Sequence, residues 1–361
     1  MENDSYRKLA KVLDTLPNGF PSSENGVEIK MLKKIFNPDQ AELFCDLKLT
    51  FETAQQMAER TGRPVEGLEE KLSRMSERGQ IQSIPMGDIK VYRMLPWVFG
   101  IYEMQRPHLD RELVEMFEEY HPFYSQQFFR GKPQQFQIIP IEKEISLKQE
   151  ALPHERVSHI IENSQSFAVF DCICKKEKKI IGEGCDKPMQ VCTAYAPLPG
   201  IFENNPNFRV ISKEEAQKVL RLAEEAALVH LTYNTATGHF FICNCCGCCC
   251  GVLRAINEFG IPAGNVVNSH YYAEIDPELC MACGTCANER CQVKAVEEAE
   301  DFYEVIREKC IGCGLCVSTC PVEAIKLVRK ETSEISAPPL DEMNWFEERA
   351  RERGVDISRF K

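Results

Sequence analysis

Cys280-Met-Ala-Cys283-Gly-Thr-Cys286-Ala-Asn-Glu-Arg-Cys291 and Cys310-Ile-Gly-Cys313-Gly-Leu-Cys316-Val-Ser-Thr-Cys320-Pro321 are two versions of one run. Each has three cysteines at two-residue spacing. A fourth follows after three residues in the second run and after four in the first, where Gln292 stands in place of proline. Three thiolates so spaced fold inward on one short loop and wrap one corner of a metal-containing group, while the fourth lies too far along to close the same site. The flanks repeat as well. Residues 271–276 and 302–307 alternate apolar and polar side chains ahead of each run, as strands do. Val293-Lys-Ala-Val296 and Val322-Glu-Ala-Ile325 follow them.

The second run matches C-x2-C-x2-C-x3-C-P, the pattern that holds cubane clusters. Over residues 270–330 the pair resembles the bacterial ferredoxins with two [4Fe-4S] clusters. The resemblance implies a β-α-β repeat about a pseudo-twofold axis, with each unit lending its fourth cysteine to the other. Cys280, Cys283, Cys286 and Cys320 would then hold one cluster, and Cys310, Cys313, Cys316 and Cys291 the other. Gly284, Gly312 and Gly314 would let backbone N–H groups approach cluster sulfurs, which tunes the potential. Zinc is the competing reading of such cysteine pairs, but two tandem four-cysteine runs with a trailing Cys-Pro are unusual for it.

Cysteine usage sets the class of the whole chain. Of 19 cysteines in 361 residues, 18 lie between Cys172 and Cys320. The start of the sequence has no apolar segment of signal-peptide type, so the expected compartment is the cytoplasm, where clustered thiols mean metal and not disulfides. Oxygen-sensitive cubanes fit an anaerobic host. The net charge of −12 offers no electrostatic footprint for nucleic acid, and no apolar run reaches the length of a membrane span. Cys45, among Leu43, Phe44 and Leu47, reads as a small buried hydrophobe.

Residues 151–269 form a second cysteine-rich module with ten candidate metal ligands: Cys172, Cys174, Cys185, Cys192, Cys243, Cys245, Cys246, Cys248, Cys249 and Cys250. Phe167–Phe170 and Phe240–Ile242 read as strands leading into the two groups, and 252–259 as a helix. Ser212-Lys-Glu-Glu215 is a capping box that opens a helix to about residue 227. Vicinal thiols without an oxidising compartment need a ligand, so the module is expected to bind one or two further iron–sulfur clusters. One version gathers Cys172, Cys174, Cys185 and Cys192, and another mixes the groups. Structural zinc and dithiol redox chemistry are the alternatives. With cysteine in surplus, none of His154, His159, His230, His239 and His270 is needed as a ligand.

The fold class expected is α+β and multidomain. After an N-terminal helix and loop (1–26), three helices and a hairpin over 27–95 resemble a winged helix. Asn37-Pro-Asp-Gln40 caps one helix, Thr50 is expected to cap the next over 51–60, and 65–77 forms the third. The start of that third helix carries Glu66, Glu69 and Glu70, so the unit reads as a docking module and not a DNA reader. An aromatic helical connector (96–150) contains a helix over 106–120, a strand over 136–141 and a polar linker over 142–150. A charged tail helix (341–354) closes the chain.

The expected function is single-electron transfer between redox partner proteins through two [4Fe-4S] clusters and a further cluster in the middle module. The alternatives are a redox-sensing winged-helix regulator and the iron–sulfur subunit of an anaerobic oxidoreductase complex. The overall order also resembles anaerobe proteins with a similar middle module ahead of a two-cluster ferredoxin domain. That resemblance implies electron transfer and supplies no substrate.

Overall fold

The computed structural model describes residues 2–145, 152–203, 205 and 207–361; part of the expected polar linker lies outside them. The chain opens with α1 (Glu2–Thr15), α2 (Val27–Ile35), α3 (Pro38–Phe44), α4 (Ala54–Thr61) and α5 (Leu68–Glu77), followed by the hairpin β1 (Ile81–Met86) and β2 (Ile89–Met94). Local chemistry sets these boundaries. Asn37 and Gln40 exchange side-chain and backbone hydrogen bonds at the start of α3, with Pro38 in the first turn. Helix α4 is capped by Thr53, not Thr50: Thr53 and Gln56 form a second capping box, and the backbone of Glu52 pairs with Tyr92 of the hairpin. Gly67 (φ +70°) delays the start of α5 to Leu68. A Cβ at Gly79 would lie 2.4 Å from the Met104 carbonyl oxygen, so only glycine fits there.

The connector holds α6 (Tyr102–Met104) and α7 (Arg111–Phe128), which Asp110 caps and which runs well beyond the expected end. Next comes β3 (Phe136–Ile138). The middle module follows with α8 (Val157–Glu162), β4 (Ser166–Asp171), α9 (Ile173–Ile181), β5 (Gln190–Ala196) and β6 (Arg209–Val210). Helix α10 (Lys213–Glu225), β7 (Val229–Tyr233), β8 (Phe241–Cys245), α11 (Gly251–Asn257), α12 (Ala263–Val266) and β9 (Val267–Asn268) complete it. Seven strands form one sheet in the order β6-β4-β5-β8-β7-β3-β9, antiparallel except for the β3/β9 pair. The C-terminal unit pairs β10 (Tyr271–Ile275) with β13 (Ile325–Arg329) and β11 (Val296–Glu298) with β12 (Tyr303–Val305), both antiparallel. Helix α13 (Glu342–Arg353) ends the chain.

Side chains alternate across the sheet, and so do its two cores. One runs without a break from Leu9 and Met31 through Trp97 and Tyr120 to Leu253, Ile311 and Phe360. The other packs Val169, Tyr195, Leu220 and Ile242 with Cys246 and Cys249. The tail helix joins the first core through Trp345, whose Nε1 donates to the Gln134 carbonyl at 2.8 Å. Glu118 of α7 pairs with Lys178 of α9 at 2.8 Å and with Arg254 of α11 at 2.7 Å, binding three helices at one point. No helix among the described residues is long and apolar enough to cross a membrane.

Glu155 fastens the ferredoxin-like unit to the middle module. Its carboxylate takes the Arg329 Nη1 at 2.9 and 3.0 Å, His270 Nδ1 at 2.5 Å and the Tyr271 hydroxyl at 3.1 Å. Burial pushes this carboxyl up, but the hydrogen bonds from His270 and Arg329 outweigh it and hold it at about 2. A depressed carboxyl contributes stability that is complete above its ordinary value near 4.5 and fades as pH falls toward 2. Glu155→Gln is therefore expected to cost about 3 kcal/mol at neutral pH and much less at pH 3, read by denaturant titration at both values. An equal loss at both would contradict the assignment.

Candidate metal centres

The sheet gathers the ten middle cysteines and sorts them into two sets. Cys243 and Cys245 lie two apart on β8 and share a face. The register Thr193↔Ile242 puts Cys192 of β5 beside Cys243. Cys172 caps α9, Cys174 lies in its first turn, and Cys250 caps α11. These six sulfurs neighbour one another in a closed ring: Cys172, Cys174, Cys250, Cys245, Cys243, Cys192 and back to Cys172. The other four are Cys185, from the loop after α9, and Cys246, Cys248 and Cys249, from the turn between β8 and α11. Their sulfurs all lie within 4.8 Å of one another. Cys185, adjacent in sequence to Cys172, Cys174 and Cys192, thus stands apart from them.

The ring is the floor of a cavity of about 400 Å³. Aromatic side chains, among them Phe99, Tyr102, Phe117, Phe170 and Phe241, wall it. Two buried cations accompany the sulfurs. Lys175 is 1% exposed and, among the described residues, donates to the backbone carbonyls of Pro188 at 2.8 Å and Asn244 at 3.5 Å. Burial pushes its ammonium down, yet the charges of Cys172, Cys192, Cys246 and Cys245 more than offset this and raise it overall. Arg106 stacks over Phe170 and donates to the Asn207 carbonyl at 2.6 Å. Burial lowers it, against the opposing pull of Cys192, Asp171 and Cys172. Within the ring, Cys172 and Cys250 are held well below the usual thiol range, first by Cys174 and then by Cys192 and Cys245 respectively. Both cap helix starts, where the N–H groups of Lys175 and Leu253 add to the effect. Cys174, Cys192, Cys243 and Cys245 are pushed up by their sulfur neighbours.

In the C-terminal unit the cysteine loops fold around a small core of Ala273, Val296, Tyr303 and Ile325 that also takes Cys286 and Cys316, with Cys280, Cys291, Cys310 and Cys320 packed against it. Backbone N–H groups donate to three of the sulfurs: Ala273 to Cys310 at 3.3 Å, Ala295 to Cys291 at 3.1 Å and Ala324 to Cys320 at 3.3 Å. Burial pushes Cys313 up to about 12, with Cys291 and Cys310 as charged neighbours, and Cys316 is raised by burial and then by Cys313, Cys310 and Cys291. Cys291 of the first run is thus grouped with the three cysteines of the second. Cys286 has Cys283 and Cys280 as neighbours. Soft sulfur donors that also accept backbone N–H bonds fit iron–sulfur clusters. Their spacing fits too. Among the described residues, only Cys185, Cys246, Cys248 and Cys249 bring four sulfurs within 4.8 Å, and the C-terminal eight are spread more widely, as a cage with metal at its corners requires.

The two departures from the repeat have structural reasons. The extra residue before Cys291 is taken up by a π turn, Cys286–Arg290, in which the Cys291 N–H reaches the Cys286 carbonyl. The second run uses a tighter 3-10 turn, Val317–Thr319. Arg290 of the wider turn is buried and donates to the carbonyls of Leu315, Glu224 and Glu225, closing the end of α10. Gln292 accepts from the Gly247 N–H at 2.9 Å through Oε1, and Asn257 Nδ2 bridges the carbonyls of Gln292 and Gly247 at 2.9 and 3.1 Å. The residue after Cys291 is thereby fastened to the thiol turn of the middle module.

Sequence reading did not single out Lys175, Arg106 or Arg290; their only signal is a cation beside a cysteine run or beside the aromatic connector. Four of the five histidines weighed as ligands take side-chain or backbone partners, His159 through Asn163, while the buried His154 Nε2 has none among the described residues and lies close to Glu155 and His270. His270 holds Glu155, His230 Nδ1 meets Asn244 at 2.5 Å, and His239 meets Gln137 and the Thr235 carbonyl. Cys45 donates to the Ala41 carbonyl, and burial pushes it up to about 12.

These features define an iron–sulfur protein with a paired-loop cluster domain. Residues 273–327 match the family described as the 4Fe-4S dicluster domain. A ferredoxin 7Fe of Hydrogenibacillus schlegelii is 46% identical over 54 residues, which are 15% of this chain and 68% of that protein. An uncharacterised ferredoxin of Methanocaldococcus jannaschii is 32% identical over 91 residues, 25% of this chain and 52% of the relative. A component of the ion-translocating oxidoreductase complex of Methanosarcina acetivorans is 42% identical over 48 residues, 13% of this chain and 18% of that component. Through this C-terminal domain the chain belongs to the ferredoxin family. It spans about half the length of the Methanocaldococcus relative and less than a fifth of the Methanosarcina one.

A Cβ on Gly247 would lie 2.0 Å from the Gln292 carbonyl oxygen. Gly247→Ala is expected to force the thiol turn and the Cys291 loop apart and to cost roughly 1–3 kcal/mol in thermal or denaturant unfolding. Gly264→Ala, where nothing lies within 4 Å of the added carbon and φ, as at Gly247, is not positive, gives the effect of the methyl group without a clash. If both variants lose the same stability, the clamp is not what Gly247 serves.

Proposed function

We propose that this protein is an electron carrier in which a middle iron–sulfur centre is coupled to a two-cluster ferredoxin domain. When bound, the clusters supply reversible one-electron redox chemistry. Cys280, Cys283, Cys286 and Cys320 hold one [4Fe-4S] cluster, and Cys310, Cys313, Cys316 and Cys291 hold the other. The six ring thiols hold the third centre. The ring is wider than a single ion needs, since no three of its sulfurs fall within the 4.8 Å that marks the four-sulfur group. Lys175 and Arg106 offset the negative charge of thiolates in this dry site. The observation that carries the reading is the fastening of Gln292, next to Cys291, to Gly247. It supports a fixed approach between the middle thiols and the second cluster. The resemblance to a component of an oxidoreductase complex supports redox proteins as partners.

A second reading makes the ring a site of chemistry and not only of transit. The aromatic cavity above it suits an apolar organic molecule. Three acids line that cavity: Glu342, paired with Arg93, and two that are raised, Glu103, pushed up to about 7 by burial, and Glu177, raised well above the carboxylate range first by burial and then by Glu118. Tyr102 donates to Glu177 at 3.0 Å. Protonated carboxyls beside a redox centre could hand a proton to a reduced substrate. The N-terminal unit reads as a winged helix used for docking. Glu66, Glu69 and Glu70 are exposed at the start of α5, where a DNA backbone would meet negative charge, and Arg63 is paired with Asp46; Lys71, Arg74 and the C-cap Arg78 are the cations of that helix that favour the regulator alternative.

Anaerobically purified full-length protein is expected to contain about twelve cluster irons with matching sulfide, from four irons per cubane and a four-iron middle centre. It should also give low-temperature EPR signals on reduction. Cys313→Ser should remove about four irons and leave the rest. Only eight irons, with Cys172→Ser removing none, would leave the ring without a cluster and defeat the three-centre reading. An absence of any reducible EPR signal would defeat electron transfer altogether.

A further inference from the structure

The four sulfurs set apart from the ring are spaced for a different occupant. Cys185 lies 3.9 Å from Cys246 and 3.6 Å from Cys249, and Cys249 lies 3.7 Å from Cys248. Four thiolates around one zinc at about 2.3 Å define a tetrahedron with edges of roughly 3.8 Å. A disulfide would bring two sulfurs to about 2 Å, and all four are free. A cubane places iron and sulfide between its ligands and needs a wider set, such as the eight sulfurs of the ferredoxin domain.

We propose that Cys185, Cys246, Cys248 and Cys249 bind a single tetrahedral thiophilic ion, separate from every iron–sulfur cluster, which clips the loop after α9 to the turn between β8 and α11. With four protein thiolates the site is closed, which is the signature of a structural centre and not a catalytic one. Its ligands come from two segments, the loop after α9 and the turn between β8 and α11, so the ion cross-links them. Gly247 lies between two of the ligands and presses on Gln292, so an ion that orders this turn also orders the seat of Cys291. Three of the four cysteines are buried or half-buried, and Cys248 is exposed, which provides a path of entry. The chain sorts its thiols by position along one turn. Cys245 and Cys250 at the two ends face the ring, and Cys246, Cys248 and Cys249 between them face the ion. Zinc and iron both accept four thiolates in this geometry.

The test uses the intact chain, purified anaerobically from cells supplied with both metals. Elemental analysis and X-ray absorption at the zinc edge should find one zinc per chain with four sulfur neighbours at about 2.3 Å. If iron occupies the site, the chain should carry one iron beyond the cluster total, with the EPR signal of a high-spin ferric tetrathiolate. Cys248→Ser alters a side chain that reaches solvent, so the fold should tolerate it. The variant should release that one ion to a chelator about tenfold faster or more, with cluster iron and sulfide unchanged. The proposal is overturned if the wild-type chain carries no such ion, if its zinc has ligands other than sulfur, or if Cys248→Ser or Cys185→Ser loses about four irons together with sulfide. The wild-type spectra decide the matter even if a variant fails to fold.

Discussion

Buried sulfur is the constraint on which this structure turns. Eighteen thiols lie in less than half of the chain, and all but Cys248 and Cys283 are buried or half-buried. A thiolate inside a protein is costly unless a metal or a cation balances it. The fold supplies buried cations and gathers the thiols into sets that a metal could occupy. The antiparallel register of β5 and β8 brings Cys192 beside Cys243, and helices α9 and α11 begin at Cys172 and Cys250, so the ring is assembled from strand ends and helix starts. Lys175, with no carboxylate partner among the described residues and almost no exposure, is balanced by the negative charge of the neighbouring sulfurs. Glu118, Lys178 and Arg254 then lock together the helices that carry the ring.

The second principle of the architecture is the joint between modules. In a repeat of two similar cysteine loops, the first has gained a residue and lost a proline. The π turn absorbs the insertion, and the gained Arg290 closes the end of α10. Proline at position 292 could not accept from Gly247, as Gln292 does. The departures from the ferredoxin pattern are thus the residues that fasten this ferredoxin domain to its neighbour. Glu155 makes a second fastening through Arg329 and His270. The continuous core, which runs from the first helix to the tail helix, leaves the ferredoxin unit embedded and not tethered.

Much of this was legible in the sequence where the signal is local. Asn37-Pro38-Asp39-Gln40 and Ser212–Glu215 announced helix starts because a cap is a short-range exchange between a side chain and nearby N–H groups. Thr50 misled because Thr53 has the better-placed glutamine and because the backbone before it is drawn to Tyr92. Strands β5 and β7 escaped notice: Thr193, Tyr195, His230 and Thr232 interrupt their apolar pattern, and only the completed sheet buries them. The paired-loop domain at the C-terminal end was readable from cysteine spacing. For the middle ten, spacing left two sets open, one of Cys172, Cys174, Cys185 and Cys192 and one mixing the two groups, and did not set Cys185 apart. The split between ring and four-sulfur site depends on which way a strand and a turn point their side chains, and spacing does not encode that once the turn folds back.

The account stands most directly on where iron sits. A crystal of the intact, anaerobically prepared chain, with anomalous scattering recorded across the iron edge, locates it without assumptions about spectra or variants. Three separate iron centres are expected: two within the loops of residues 280–320 and one inside the ring of Cys172, Cys174, Cys192, Cys243, Cys245 and Cys250. Iron confined to the C-terminal loops, with the ring sulfurs bearing protons or joined to one another, would contradict it.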